Sequence, residues 1–337
     1  MNISPEVVIK AINLTKRFGP ILAVDHINFE VYRGEIFGFL GPNGAGKTTT
    51  IKMLTTLLRP TEGTAYVNGY NIIKEPSKVR ESIGVVPQEY TADEDMTGWE
   101  NMMLIASLYG IPKHEAKERA AELLDLVELS HAADRKVETY SGGMRRRLEI
   151  AMGLINRPKI LFMDEPTLGL DAQTRAAIWS YVYKLKEQYG TTIFVTTHYL
   201  EEADQYCNRI AIIDHGRILA VGTPRQLKES IGGDVVMLQV SADSGSVVKL
   251  LSSIEGVMDV RLVDGYIRFK VKNGSEAAPR ILEALFKAGV RVNSMYIKEP
   301  TMDEVFMEYT GHSIRDEEGS REEIRSFMRI VNTARRR

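Results

Sequence analysis

The sequence predicts an α/β fold built on a parallel sheet, followed by a smaller α+β domain. Residues 41–48 match the phosphate-loop pattern G-x-x-x-x-G-K-[ST]. Residues 159–163 read as a strand that ends in the acid pair Asp164-Glu165, which is typical of a strand covered on both faces of a parallel sheet. Beyond residue 233 the pattern changes to strand, helix, strand, strand, helix, strand. A length of 337 residues also suggests two domains.

The phosphate loop lies between the apolar run 36–40 and a helical pattern over 51–58, which is the strand–loop–helix context that the motif requires. Its glycines let backbone N–H groups wrap phosphates, and the helix N-terminus adds about half a positive charge. Lys47 is expected to hold the β- and γ-phosphates, and the Thr48 hydroxyl to ligate Mg²⁺. The residues expected to contact the nucleotide are Gly41, Pro42, Asn43, Gly44, Ala45, Gly46, Lys47, Thr48 and Thr49. A glycine-rich turn without a ligand is the alternative, and the full spacing disfavours it.

The acid pair at the end of the buried strand predicts the hydrolytic groups. Asp164 is placed to hold Mg²⁺ through its water shell, and Glu165 to orient or deprotonate the attacking water. The alternative is an acid pair solvated at a strand end, which the phosphate loop in the same chain disfavours.

Ser141-Gly142-Gly143 opens another helix and predicts a second phosphate-binding site. Serine is a preferred N-cap residue, and two glycines let the backbone approach an anion closely.

The phosphate loop, the acid pair and Ser141-Gly142-Gly143 together resemble the ATP-binding cassette subunits of ABC transporters over roughly residues 7–225. The resemblance implies ATP with Mg²⁺, and a fold with a parallel-sheet RecA-like core, an antiparallel β layer and a helical subdomain. In that family the serine-glycine-glycine signature contacts the γ-phosphate of ATP held by the phosphate loop of another cassette. It therefore implies a second cassette as partner, in a head-to-tail homodimer.

Four further residues match landmarks of the family. Gln88 resembles the glutamine that senses Mg²⁺ and water and touches the permease, and His198 the histidine that contacts the γ-phosphate. Asp171 resembles the aspartate that couples the two sites across the dimer. Phe18 resembles the aromatic residue that stacks on adenine, which is usually a tyrosine. Taken singly, such residues more often lie at the surface or in the core, whereas their order and context favour these roles.

The departures from the family pattern are small. Met144 stands where a glutamine is common, and Tyr140 replaces a leucine. Neither carries the chemistry, so the resemblance implies an active ATPase. The expected catalytic residues are Glu165, His198, Gln88 and Lys47, and the expected metal-binding residues are Thr48, Gln88 and Asp164.

Composition excludes several classes of protein. A net charge of −2 is far from the basic balance of a nucleic-acid-binding protein, so no nucleic acid is expected as a partner. The basic run 145–147 reads as a phosphate-side or solvated helical face. The one cysteine, Cys207, reads as a small core residue and forbids an internal disulfide. No signal peptide is recognised, and no apolar run approaches the ~20 residues of a membrane-spanning helix.

The expected organisation is a cassette over residues 1–230, with antiparallel strands over 7–32 and a helical subdomain over about 98–154 that Pro112 breaks in two. Residues 231–312 read as a ferredoxin-like α+β domain, non-catalytic and either regulatory or dimer-stabilising, with a turn at Asp264-Gly265. The charged tail 313–337 carries apolar residues at helical spacing.

The segment 300–306 begins a helix in which Thr301 and Glu304 have capping-box spacing. It resembles the daunorubicin-resistance branch of cassette subunits. The implied function is the ATP-hydrolysing motor subunit of an exporter, peripheral on the cytoplasmic face of the cell membrane. A permease on separate chains would dock around residues 88–108. The alternatives are a soluble cassette ATPase of translation or DNA repair and an ordinary phosphotransferase.

Overall fold

The computed structural model describes residues 5–241, 243–263 and 266–312. The chain divides into two compact units between Val221 and Gly222. This division precedes the expected boundary at residue 230, because the helix Pro224–Ser230 contacts the helix Met302–Thr310 of the second unit. The expected turn at Asp264-Gly265 and the tail 313–337 lie outside the described residues.

The first unit begins with the expected antiparallel layer. Strand β1 (Val7–Phe18) pairs with β2 (Ile21–Tyr32) and with β4 (Glu62–Val67), and β5 (Tyr70–Asn71) completes the sheet at the far edge of β4. Its inward-facing apolar side chains belong to the same core as the parallel sheet, so the layer covers one side of that sheet.

A six-stranded sheet forms the centre of the first unit, in the order β10-β9-β3-β8-β7-β6. Its strands are β3 (Ile36–Leu40), β6 (Ile83–Val86), β7 (Ile160–Asp164), β8 (Thr192–Thr197), β9 (Arg209–Asp214) and β10 (Arg217–Gly222). The pairs from β9 through β6 are parallel, so β3, β7 and β8 end at the same edge. This edge brings together the phosphate loop, the acid pair and the residue that follows β8.

Aromatic packing joins the two sheets. Phe29 of β2 lies with its ring centroid 5.5–6.0 Å from those of Phe37, Phe39 and Phe194. Phe162 of β7 extends the cluster, 5.4 Å from Phe194. Because β3, β7 and β8 are buried along their whole length, the strand ends that carry the site rest on a closely packed base.

Helices cover the parallel sheet and form a subdomain beside it. The covering helices are α1 (Lys47–Leu54), α2 (Pro76–Ser82), α6 (Ala172–Tyr189) and α7 (Leu200–Tyr206). The subdomain contains α3 (Gly98–Leu108), α4 (Lys113–Leu126) and α5 (Gly142–Leu154). Thr97 and Glu100 form a capping box that begins α3, and Pro112 is the residue before α4.

The second unit has the expected ferredoxin-like order. Its elements are α8 (Pro224–Ser230), β11 (Asp234–Val240), α9 (Ser244–Ser252), β12 (Val257–Val263), β13 (Tyr266–Val271), α10 (Gly274–Lys287), β14 (Val292–Lys298) and α11 (Met302–Thr310). The sheet order is β12-β13-β11-β14, and the paired strands are antiparallel. The expected capping box of Thr301 and Glu304 begins α11. In neither unit does a described helix have the length and apolar character needed to cross a membrane.

Candidate active site

The phosphate loop has a backbone conformation that only glycine tolerates at its key positions. Gly44 and Gly46 have φ values of 86° and 103°, in the left-handed region. A Cβ at Gly46 would lie 2.6 Å from the carbonyl oxygen of Ala23, and one at Gly41 would lie 2.1 Å from that of Ile213. The loop therefore lies directly on neighbouring backbone, and its curvature leads into the first turn of α1.

Lys47 begins α1 and is buried inside the loop. Its Nζ donates hydrogen bonds to the carbonyl oxygens of Gly41 (2.6 Å) and Pro42 (3.1 Å) and lies 2.9 Å from Oε1 of Glu165. The first turn of a helix has N–H groups without intrahelical partners, and those of Lys47, Thr48 and Thr49 lie in this turn. An ammonium group beside such donors fits the phosphates of a nucleotide.

Asp164 and Thr48 form an oxygen pair suited to a hard cation. Asp164 ends β7 in a buried position, and its Oδ1 accepts a 2.5 Å hydrogen bond from the Thr196 hydroxyl. Burial raises the pKa of Asp164, while hydrogen bonds from Thr196 and Thr48 oppose that rise. A divalent cation would stabilise the negative charge of this buried carboxylate, and carboxylate and hydroxyl oxygens are both ligands that Mg²⁺ accepts. The donor set therefore fits the expected Mg²⁺ site.

Glu165 has a strained backbone, and its carboxylate lies beside Lys47 and His198. Its φ is 47°, which is uncommon for a residue with a side chain, and its N–H donates to the carbonyl and hydroxyl oxygens of Thr196. Oε2 of Glu165 lies 3.3 Å from Nδ1 of His198. Burial raises the pKa of Glu165, but the neighbouring His198 and the charge of Lys47 outweigh burial and hold the pKa at about 2. The carboxylate is therefore ionised at neutral pH and bound to Lys47.

His198 follows β8 in a buried position, where its ring packs on that of Tyr199 with a centroid distance of 4.2 Å. The parallel sheet thus brings Lys47, Asp164, Glu165 and His198 together, as expected from residues that follow β3, β7 and β8.

A buried carboxylate that the sequence did not indicate links two of these segments. Glu202 of α7 accepts hydrogen bonds from the hydroxyls of Thr167 (2.6 Å) and Thr197 (3.0 Å). Thr167 follows the acid pair closely, and Thr197 immediately precedes His198. In the sequence, Glu202 belongs to the acidic run Glu201-Glu202-Ala203-Asp204, and such a run does not distinguish a solvated acid from a buried one.

In the Ser141-Gly142-Gly143 segment at the start of α5, Ser141 and Gly142 are exposed and Gly143 is half-buried. The Ser141 hydroxyl accepts from the N–H of Met144 (3.3 Å), as a helix N-cap does. Within the described part of the chain, no hydrogen bond or ion pair joins residues 141–143 to the phosphate loop. A Cβ at Gly143 would lie 2.7 Å from Cγ2 of Thr174, which is hydrogen-bonded to Asp171. The signature and Asp171 are therefore neighbours on one face of the unit.

The expected adenine and glutamine positions are also exposed. Phe18 is 46% exposed, with Nζ of Lys16 5.2 Å from its ring centroid, so its ring is accessible for stacking. The Gln88 side chain is exposed after β6, whereas the backbone carbonyl oxygen of Gln88 accepts a 2.8 Å hydrogen bond from Arg146.

The expectation for the basic run 145–147 is wrong at Arg146. This side chain is only 2% exposed, and burial lowers its pKa, whereas a solvated or phosphate-side face requires accessible guanidinium groups. Arg145 forms an ion pair with Glu94, and Arg147 donates to the carbonyl oxygen of Val127.

Comparison with known proteins identifies the class of this site. A family model described as ABC transporter matches residues 24–168, and another, described as ATP-binding protein DrrA1-3-like, C-terminal domain, matches residues 222–310. The chain is 43% identical to the daunorubicin/doxorubicin resistance ATP-binding protein DrrA of Streptomyces peucetius, over 96% of this chain and 99% of that protein. It is 38% identical to the linearmycin resistance ATP-binding protein LnrL of Bacillus subtilis, over 92% of this chain and 100% of that protein.

Solved structures agree with the fold. The ATP-binding cassette MJ0796, a dimer in a post-hydrolysis state bound to ADP and Pi, is 31% identical, with a TM-score of 0.59 over 64% of this chain and 98% of that chain. The ADP conformation of the cassette MJ1267 is 29% identical, with a TM-score of 0.59 over 65% of this chain and 91% of that chain.

The site and fold are those of an ATP-hydrolysing cassette. The chain belongs to the ABC transporter ATP-binding family, whose members hydrolyse ATP to power transport. Within that family, its second unit matches the DrrA1-3-like C-terminal domain.

Proposed function

We propose that this chain is the motor subunit of an exporter of cytotoxic compounds. Two copies close head to tail around two ATP molecules, closure drives a permease on separate chains, and hydrolysis resets the pair. The observation that carries this proposal is the Ser141-Gly142-Gly143 segment at the start of a 13-residue helix, with Ser141 and Gly142 exposed, in a chain whose phosphate loop is elsewhere. A dimeric cassette relative, and relatives named for drug resistance, support it.

Each ATP site is formed by residues of two chains. Lys47 and the first turn of α1 hold the β- and γ-phosphates, Phe18 stacks on adenine, and the partner's signature contacts the γ-phosphate. Thr48, Asp164 and Gln88 would hold Mg²⁺, which would supply positive charge beside the phosphates. Asp171 couples the two sites.

Exchange of the Lys47 ion pair prepares Glu165 for catalysis. Lys47 Nζ has three protons and lies within hydrogen-bond distance of Gly41, Pro42 and Glu165, so it must give up at least one of these partners to hold the phosphates, and Glu165 is the partner that it leaves. When the phosphates draw Lys47 away, Glu165 loses its nearest cation and becomes a better acceptor for the proton of water. His198 remains beside Glu165 and contacts the γ-phosphate. Glu165 is then an effective base only in chains whose phosphate loop holds a nucleotide.

A groove in the first unit is the proposed docking site for a cytoplasmic helix of the permease. It has a volume of about 640 Å³ and is lined in part by Thr91, Ile105 and Leu108. The Leu108 side chain is 75% exposed, and Leu104 and Tyr109 beside it in the sequence are 42% and 41% exposed, so several apolar side chains are accessible at this end of α3. Docking there would place this chain at the cytoplasmic face of the membrane. The second unit is proposed to be non-catalytic, and either regulatory or dimer-stabilising.

The test is ATP-driven dimerisation of the full chain carrying Glu165→Gln, followed by size-exclusion chromatography with light scattering. This variant should be a dimer with ATP and Mg²⁺ and a monomer with ADP. Adding Ser141→Arg, which places a bulky cation at the signature, should leave a monomer that still binds ATP. Dimerisation that survives Ser141→Arg would refute the head-to-tail arrangement.

A further inference from the structure

Two buried charged side chains of α5 have no role in the chemistry described so far. Arg146 and Glu149 are each only 2% exposed and lie one helical turn apart, on the same face of the helix. Buried charges are costly unless they are paired or hydrogen-bonded. The hydrogen-bond partners of Arg146 and Glu149 therefore indicate what these side chains do.

Arg146 holds two successive carbonyl groups of the segment that follows β6. Its Nη1 donates to the carbonyl oxygen of Pro87 (2.7 Å) and its Nη2 to that of Gln88 (2.8 Å). Its guanidinium carbon lies 4.9 Å from the ring centroid of Tyr90. The planar fork of arginine suits two adjacent acceptors in a way that a single ammonium group does not.

Glu149 holds the other end of the same segment. Its Oε1 accepts from the N–H groups of Thr91 (2.5 Å) and Ala92 (2.8 Å), and its Oε2 accepts from the Thr91 hydroxyl (2.7 Å). Segment 87–92 is thus bound to α5 near both of its ends, through backbone groups that do not depend on the identity of most side chains.

The segment also reaches the signature directly. The Tyr90 hydroxyl donates to the carbonyl oxygen of Gly142, at a distance of 3.3 Å. Thr91 and Glu149 line the groove that is proposed to receive the permease. A continuous set of contacts therefore runs from the groove, through segment 87–92, to the first residue of α5.

We propose that Arg146 and Glu149 are positioning residues that make segment 87–92 and α5 one rigid body. A displacement of the groove is then delivered to the Ser141-Gly142-Gly143 signature of the same chain, and closure at the signature is delivered back to the groove. This inference rests on the proposed function, because it concerns how the signature is oriented for the second chain.

The competing explanation is that the two side chains only stabilise the fold, and Arg147 provides the matched control. Arg147 lies on the same helix, donates to a backbone carbonyl (Val127, 3.0 Å) and packs on the Tyr181 ring, with 5.8 Å to its centroid. Among the residues that the structure describes, Arg147 makes no hydrogen bond or ion pair with segment 87–92. Arg147→Ala should therefore lower thermal stability as Arg146→Ala does, while leaving the path from groove to signature intact.

The experiment uses the full chain with Glu165→Gln in every variant. Fluorescent MANT-ATP titration at low protein concentration measures nucleotide binding to the monomer, and sedimentation velocity with ATP and Mg²⁺ measures the closed dimer. Because hydrogen bonds to charged groups contribute substantially, Arg146→Ala and Glu149→Ala should weaken dimerisation about tenfold or more, with MANT-ATP affinity within about twofold. Glu149→Gln, which keeps an acceptor for the two N–H groups, should restore most of the loss.

The outcomes separate the two proposals. If Glu165→Gln alone fails to dimerise with ATP, the proposed function is wrong and this inference falls with it. If Glu165→Gln dimerises and Arg146→Ala closes as tightly as Arg147→Ala, only the inference is overturned. The combined variant, Arg146→Ala with Glu149→Ala, should lose little more than the worse single variant, since the two residues hold one segment. Fully additive losses would also overturn the inference.

Discussion

Replacing Glu165 with glutamine should tighten nucleotide binding while it slows hydrolysis. In the unaltered protein, the proposed exchange takes Lys47 away from Glu165 when nucleotide binds, and breaking that 2.9 Å ion pair opposes binding. Glutamine keeps nearly the same shape but carries no charge, so Lys47 is released more easily. The variant also lacks a negative charge near the γ-phosphate, which acts in the same direction.

The size of the effect follows from the contact between Lys47 and Glu165. His198 and Lys47 together hold the pKa of Glu165 at about 2, and only the Lys47 contact is lost when nucleotide binds. A hydrogen bond to a charged group contributes roughly 1.5–3 kcal/mol, so removing the need to break this contact should tighten binding about tenfold or more. Hydrolysis should fall by about 10²- to 10⁴-fold, the usual contribution of a positioned general base.

The assay is calorimetric titration with Mg²⁺ and the non-hydrolysable analogue AMP-PNP, in a Ser141→Arg background that prevents closure from contributing. The control is Glu35→Gln, which removes another buried carboxylate that is paired with a cation, Arg209, outside the site. Glu35→Gln should leave the dissociation constant within about twofold of its parent, since Glu35 does not contact Lys47. An unchanged or weaker affinity of the Glu165→Gln variant would refute the ion-pair exchange.

Four further results are expected. Because the pKa of Glu165 is lowered on folding, its contribution to stability is present above pH 4.5 and is lost as the pH falls towards 2. The difference in the free energy of unfolding between Glu165→Gln and its parent, measured in urea, should therefore shrink over that range. Glu202→Ala should lower the free energy of unfolding by about 1–3 kcal/mol, because it leaves two buried hydroxyls without an acceptor, and Glu202→Gln should lose less. Phe18→Ala should weaken MANT-ATP binding by about 1–3 kcal/mol and Phe18→Tyr should not, since only the former loses ring stacking. Leu108→Asp should abolish drug efflux in cells while ATP hydrolysis by the isolated chain stays normal, whereas normal efflux would place the docking site elsewhere.

Much of the site could be predicted because its residues follow the ends of parallel strands. The phosphate loop follows β3, and His198 follows β8. Asp164 is the last residue of β7 and Glu165 is the next, so all of these residues lie at one edge of the sheet. The order of strands and helices in the second unit was predictable for a similar reason, since its apolar runs and turns are local features of the sequence.

The buried charged residues could not be predicted. Arg146 and Glu149 bind backbone groups of a segment that lies more than 50 residues earlier in the sequence. Glu202 binds the hydroxyl of Thr167, which is also far from it in the sequence. On a helix, a charged residue has the same appearance in the sequence whether it faces water or a loop. The division after Val221 was missed for a related reason, because α8 finds its partner in α11, much later in the chain.

The most direct test of the head-to-tail site is a mixing experiment with two inactive variants. Lys47→Ala destroys a chain's own phosphate loop and Ser141→Arg destroys the signature that it offers to its partner, so neither variant should hydrolyse ATP alone. A mixed dimer contains one intact site, formed by the phosphate loop of one variant and the signature of the other. Equal mixing should restore activity, with an upper limit of about a quarter of normal, since at most about half of randomly formed pairs would be mixed and half of their sites would be intact. No restoration, in a mixture shown to contain mixed dimers, would contradict a site shared between two chains.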